Sequence, residues 1–142
     1  LKHNSNRNLV AGRRSVRIDD SIVRGTTSLK IVQMMREAAA KEVHMRIASP
    51  PTTNSCFYGV DTPEREKLLA SRMNIAEMCD YIHADSLAFL TIEGLYRALG
   101  EAQRDAACPR YCDACFTGDY PTKLTDFDEH NSTGQLKLRV VG

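Results

Sequence analysis

The sequence predicts an α/β fold built on a parallel β–α–β core, and three observations carry that prediction. Val16 and Ile18 alternate with Ser15 and Arg17, giving residues 14–18 the two-residue period of a strand. Leu29, Ile31, Val32, Met35, Ala38 and Ala39 then form an apolar stripe at helical spacing. Val43, Met45 and Ile47 alternate again across residues 42–48, until Ser49-Pro50-Pro51 ends the segment. Strand, helix and strand in so short a span imply two parallel strands joined by a right-handed crossover.

Residues 1–13 are polar and basic and read as a loop or frayed end. In the first strand, Ser15 and Arg17 interrupt what a central parallel strand shows as a continuous apolar run. A buried, unpaired Arg17 would be costly. Residues 14–18 are therefore either an edge strand or a weakened central one. The helix that follows is expected to be capped by Thr or Ser, and its Ala38-Ala39-Ala40 end lacks a terminating glycine. Beyond the prolines, Thr62-Pro63-Glu64 reads as a cap with proline in the first turn, opening a helix to about residue 71. Asn74 caps a further helix over 75–82, residues 86–90 form a short apolar strand, and Thr91 starts a helix to about residue 103. Residues 125–134 are polar and expected to be disordered, with at best a weak strand over 136–141. The division that results is a core over 1–60, a helical region over 61–122 and a disordered tail over 123–142.

A length of 142 residues with 42% hydrophobic content suits one domain or part of one. Net charge is +1 with both signs interspersed, which argues for neither a nucleic-acid partner nor a membrane surface. No apolar run approaches membrane-spanning length, and the first residues lack a signal pattern. The chain begins with Leu1, and Lys2-His3-Asn4-Ser5-Asn6-Arg7 reads like the interior of a longer protein, so a C-terminal piece is expected. Five cysteines without a secretion signal fit a reducing compartment, the cytoplasm by default.

Most of the chemical information lies in residues 17–28. Asp19 and Asp20 stand side by side at the end of the first strand, the edge where open α/β sheets bind ligands. Adjacent carboxylates there can accept from vicinal sugar hydroxyls or hold Mg²⁺ through oxygen. Gly25, Thr26, Thr27 and Ser28 follow where the helix begins, and the N–H groups of a first turn are unpaired and favour an anion. The hydroxyls of Ser21, Thr26, Thr27 and Ser28 add donors, and Gly25 permits a sharp turn. Arg24, inside the loop, is a plausible phosphate contact, whereas Lys30 is better read as solvated. The second feature is Cys112 with Cys115, the single C-x-x-C. Thiol redox chemistry, zinc, an iron–sulfur cluster and chance all remain open for that pair. Cys79 reads as a buried thiol and Cys108 as a spare exposed one. His3, His44, His83 and His130 have no spacing that suggests a shared site.

The run Asp19-Asp20-Ser21-Ile22-Val23-Arg24-Gly25-Thr26-Thr27-Ser28 resembles the phosphoribosyl-pyrophosphate (PRPP) signature of type I phosphoribosyltransferases, in the form found in amidophosphoribosyltransferases. Further segments are similar to that family and follow in its order. They are Ile47-Ala48-Ser49-Pro50-Pro51, Cys56-Phe57-Tyr58-Gly59-Val60-Asp61-Thr62-Pro63, His83-Ala84-Asp85-Ser86-Leu87 and the stretch from Cys112 to Pro121. The likeness runs from about residue 1 to residue 122.

It implies a partial type I phosphoribosyltransferase fold, followed by a helical C-terminal region. It implies synthesis of phosphoribosylamine from PRPP and glutamine-derived ammonia, with release of pyrophosphate, for de novo purine biosynthesis. PRPP would be bound by Asp19, Asp20, Ser21, Arg24, Gly25, Thr26, Thr27 and Ser28, with Mg²⁺ at Asp19 and Asp20. In the iron–sulfur branch Cys56, Cys112 and Cys115 would ligate a 4Fe–4S cluster, with a fourth cysteine far upstream. Glutamine as second substrate, purine nucleotides as feedback inhibitors and a homo-oligomeric parent enzyme are implied as well. The glutaminase site would lie in an N-terminal domain outside these residues, so the chain alone is expected to be inactive. Another PRPP-binding phosphoribosyltransferase, salvage or regulatory, and a non-catalytic metal or iron–sulfur module are the competing readings. The first leaves the three cysteines unexplained.

Overall fold

The computed structural model describes residues 7–123. The expected tail strand, the disorder expected over 125–134, and Lys2, His3 and His130 lie outside the described residues. The elements in order are α1 (Arg7–Val10), β1 (Arg14–Asp19), α2 (Thr26–Glu37), β2 (Glu42–Ile47), a 3-10 turn (Arg65–Lys67), α3 (Leu69–Arg72), α4 (Ile75–Tyr81), β3 (Ser86–Phe89), α5 (Ile92–Ala98) and α6 (Ala114–Thr117). The three strands form one parallel sheet in the order β1-β2-β3. Among the described residues no helix is long and apolar enough to cross a membrane.

The core lies on one face of this sheet. Val43, Met45 and Ile47 of β2 point into it with Leu87 of β3, and Val32 of α2, Leu69 of α3, and Met78 and Ile82 at α4 close over them. Burial of each such side chain is worth about 1.5–3 kcal/mol relative to exposure. Among the described residues the opposite face is uncovered along β1. Register sets Val16 beside His44 and Ile18 beside Arg46, so β1's apolar residues lie on the uncovered side, 63% and 68% exposed. The alternation expected in β1 is present, but its apolar side is not the one the helices cover. Arg17 is exposed on an edge strand and meets no buried environment.

Helix ends follow a shared rule. After α2, α4 and α5 the chain enters the left-handed region at Ala39 (φ 64), His83 (φ 59) and Gly100 (φ 86). At each, the next N–H bonds back to the carbonyl five residues earlier: Ala40 to Met35, Ala84 to Cys79 and Glu101 to Tyr96. This stop ends α5 at Ala98, well short of residue 103. Nor do residues 62–71 form the single helix expected from Thr62-Pro63. Leu68, fully buried, is in an extended conformation (φ -74, ψ 128) that no helix can pass through. The chain breaks there into the 3-10 turn and α3, with the Ser71 hydroxyl donating to the carbonyls of Arg65 and Leu68.

Candidate functional site

Two cavities carry the chemistry. The first has a volume of about 440 Å³ and is lined by the continuous run from Asp19 to Ser28, together with Asp61 and Pro63. All eight residues singled out in the loop line it. Asp19 closes β1, and Asp20 Oδ1 accepts the Ser21 N–H at 2.7 Å, which bends the chain out of the strand. Ile22 anchors the loop in the core, and the Val23 carbonyl accepts from the Leu69 N–H at 2.8 Å.

Gly25 is the cap of α2, in the left-handed conformation (φ 79). A Cβ there would lie 2.7 Å from Leu69 Cδ2 and 3.0 Å from Tyr81 Cε1, so glycine is required twice over. The Thr or Ser cap expected for this helix is absent: no side chain caps α2. The contrast with its neighbours is informative. Asn74 accepts from the Glu77 N–H in a full capping box on α4, and Thr91 accepts from the Gly94 N–H on α5. Among the described residues these two helices have a first-turn donor met by a cap side chain, while α2 presents its start to the cavity. An anion seated there would meet unpaired N–H groups and the positive end of a 12-residue helix. Arg24 is exposed at the rim. Sequence reasoning missed Asp61 and gave Pro63 to a helix start. Both reach the cavity only because the chain returns past it, which no local pattern announces.

The second cavity, about 220 Å³, brings Cys56, Cys112 and Cys115 together with Tyr58, Gly59, Val60, Ala114 and Tyr120. Cys79 and Cys108 are not part of it. Cys79 Sγ donates to the Ala84 carbonyl at 3.2 Å beside the core, and burial raises its pKa; Cys108 is exposed. Backbone N–H groups of Tyr58 and Val60 hold the Cys56 thiol below its ordinary pKa, the Tyr58 N–H lying 3.4 Å from Sγ. Burial pushes Cys115 up, and the nearby Cys56 and Cys112 add to that. Among the described residues no three His, Cys, Asp or Glu side chains converge closely enough to hold one metal ion. In an iron–sulfur cluster the thiolates bind separate iron atoms. Three thiols around one largely apolar cavity are soft donors of the kind iron–sulfur clusters and structural zinc both take.

The walls of this cavity are fixed from two sides. The Thr53 and Asn54 N–H groups both donate to the Cys115 carbonyl at 3.0 Å, and Tyr120 OH donates to the Ser55 carbonyl at 2.7 Å. On the other side Asp113, between the two cysteines, is buried and bonded to Tyr96, Arg104 and Thr117. Burial alone would raise the Asp113 carboxyl, but the Arg104, Tyr96 and Thr117 hydrogen bonds outweigh it and leave it below the usual carboxylate range. Residues 56–63 line both cavities, Cys56 at one end and Asp61 and Pro63 at the other. Of the remaining residues weighed, Lys30 is exposed and His44 bonds Ser86 and Glu42 on the face of the sheet away from the core.

No protein-family profile matches the chain. Individual proteins do. An amidophosphoribosyltransferase of Rhizobium etli is 55% identical over 139 residues, 97% of this chain and 28% of its own length. The chloroplastic amidophosphoribosyltransferase 2 of Arabidopsis thaliana is 57% identical over 89% of the chain and 22% of its own length. Among solved structures, the glutamine PRPP amidotransferase of Bacillus subtilis, complexed with ADP and GMP, superimposes with a TM-score of 0.77. It is 50% identical, and the match covers 85% of this chain and 26% of that one. The chain thus spans about a quarter of the length of the relatives it matches.

Proposed function

We propose that this chain, which belongs by sequence and fold to the amidophosphoribosyltransferase family, supplies the PRPP-binding loop and most of an iron–sulfur site to such an enzyme. The whole protein then joins glutamine-derived ammonia to C1 of PRPP, releasing pyrophosphate and forming phosphoribosylamine for purine synthesis. The observation that carries this reading is the single cavity in which a strand-end diacid faces the uncapped start of α2.

The chemistry asked of these residues is positioning and electrostatics. The N–H groups at the start of α2 and the hydroxyls of Ser21, Thr26, Thr27 and Ser28 would hold the 5-phosphate, with Arg24 at the rim. Asp19 and Asp20 would orient the ribose hydroxyls and carry Mg²⁺. That ion, when bound, neutralises charge on the departing pyrophosphate. Fixed at both ends, the sugar can ionise at C1 toward an oxocarbenium-like state, stabilised by the nearby carboxylates. Ammonia is the nucleophile, so no side chain of this chain needs to attack, and none is assigned to ammonia release.

Cys56, Cys112 and Cys115 would supply three of the thiolates of a 4Fe–4S cluster, an electron-rich and oxidation-sensitive group. Purine nucleotides would act as feedback inhibitors on a homo-oligomer; the B. subtilis neighbour was solved with ADP and GMP. Five free thiols support a reducing compartment, the cytoplasm in a bacterial host. The test is Asp19→Asn combined with Asp20→Asn in the full-length protein. PRPP-dependent phosphoribosylamine synthesis should vanish while glutamine hydrolysis stays detectable. Unchanged synthesis in the double variant would sink the site assignment.

A further inference from the structure

We propose that Asp113 is a positioning residue for the thiol pair, holding Cys112 and Cys115 in ligating register before any metal arrives. What the thiols hold rests on the cluster reading above; how they are held does not. The Asp113 side chain is 4% exposed and sits between the two cysteines, yet it does not line their cavity. Its Oδ2 accepts from Tyr96 OH at 2.9 Å and from Arg104 Nε at 2.5 Å. Its Oδ1 accepts from Arg104 Nη2 and from Thr117 Oγ1, both at 3.1 Å. A carboxylate offers roughly four acceptor sites, and these four bonds leave none for a metal. Asp113 therefore serves the cysteines from behind.

The three donors come from different parts of the chain. Tyr96 lies in α5 and is 2% exposed, Arg104 lies in the irregular stretch after α5, and Thr117 is the last residue of α6. Arg104 is itself fixed by a second carboxylate, Asp119, at 2.8 Å from Nη2. The Asp113 carbonyl accepts the N–H groups of Phe116 at 2.9 Å and Thr117 at 3.0 Å, so the same residue starts the turn that carries Cys115. Together with the Thr53 and Asn54 bonds to the Cys115 carbonyl, this clamps the C-x-x-C from both flanks. Ligands of a metal site keep their geometry through such outer partners.

The experiment uses the intact protein, stripped of metal with a chelator, kept reduced, and alkylated with iodoacetamide while mass spectrometry follows each cysteine. In the parent protein Cys115 should react slowly compared with exposed Cys108 and Cys112. Asp113→Asn and Arg104→Lys should speed Cys115 about tenfold through local opening, with Cys79 on α4 unchanged. Tyr96→Phe and Thr117→Val, which keep the charged pair, should move Cys115 the same way by less, and they decide the matter if Asp113→Asn does not fold. Iron and sulfide uptake on reconstitution should fall in the same rank order. Equal Cys115 protection in all variants would overturn the proposal, as would parallel deprotection of Cys79, which marks general destabilisation. If the parent protein takes up no iron or sulfide while the Cys115 pattern holds, the cluster reading fails and the positioning role stands.

Discussion

The loop cavity and the cysteine cavity are joined by the segment 56–63, which passes from one to the other, but are constructed in opposite ways. Around the loop, one unbroken run supplies almost the whole lining, and backbone geometry supplies the donors. Around the cysteines, separated segments meet, and side-chain hydrogen bonds from Tyr96, Arg104, Thr117 and Tyr120 hold them in place. The loop site should thus be sensitive to backbone changes and tolerant of lost hydroxyls. The cysteine site should be sensitive to single side chains anywhere in its network. A phosphate can be met by N–H groups that any residue provides, whereas an iron–sulfur group needs particular sulfurs in particular places.

Three substitutions press on that contrast, in decreasing order of effect. Cys115→Ser should abolish iron and sulfide content altogether. It should also lower stability, because a group bound only by the folded state stabilises it by mass action. Full iron and sulfide retention would remove the cluster from consideration. Gly25→Ala should cost about 2–4 kcal/mol, combining the left-handed backbone penalty with overpacking against Leu69 and Tyr81. Urea denaturation reads it, and a loss under about 0.5 kcal/mol would mean the loop relaxes freely and is not backbone-built. Thr27→Val removes one exposed hydroxyl from a site whose N–H donors remain. PRPP affinity in the full-length protein should drop by about 0.5–1.5 kcal/mol. A collapse of binding would show that hydroxyls, not the helix start, carry the phosphate.

These differences also explain what could be read from the sequence. The diacid and loop were legible because residues 19–28 are contiguous, and the two parallel strands of the β–α–β unit because Val16 and Ile18, then Val43, Met45 and Ile47, alternate locally; residues 86–90 read as a strand, but their parallel pairing with β2 was not legible. The likeness to amidophosphoribosyltransferases, first carried by the same run, is borne out by relatives at 55% and 57% identity. The grouping of Cys56 with Cys112 and Cys115 came from that likeness, since nothing local relates residue 56 to residue 112. The Asp113 hub was invisible for the same reason: Thr117 stands at helical spacing, but Tyr96 and Arg104 stand 17 and 9 residues upstream, separations with no secondary-structure period. Local patterns misled where tertiary burial overrode them. A fully buried Leu68 in extended conformation interrupts the helix that Thr62-Pro63 announced, and the side of the sheet chosen by α2 and α4 left Val16 and Ile18 uncovered.

The uncapped start of α2 bears on how long such a protein lasts in a cell. Two of its described helices cap a first-turn donor through Asn74 and Thr91, but α2 has no side-chain cap and would leave that task to an anion taken up by the cavity. An occupant that binds only the folded chain raises its stability with concentration. A small change in the unfolded fraction alters how often proteases find their substrate. Cellular abundance would then follow the supply of the phosphorylated sugar, with scarcity clearing the protein and plenty preserving it.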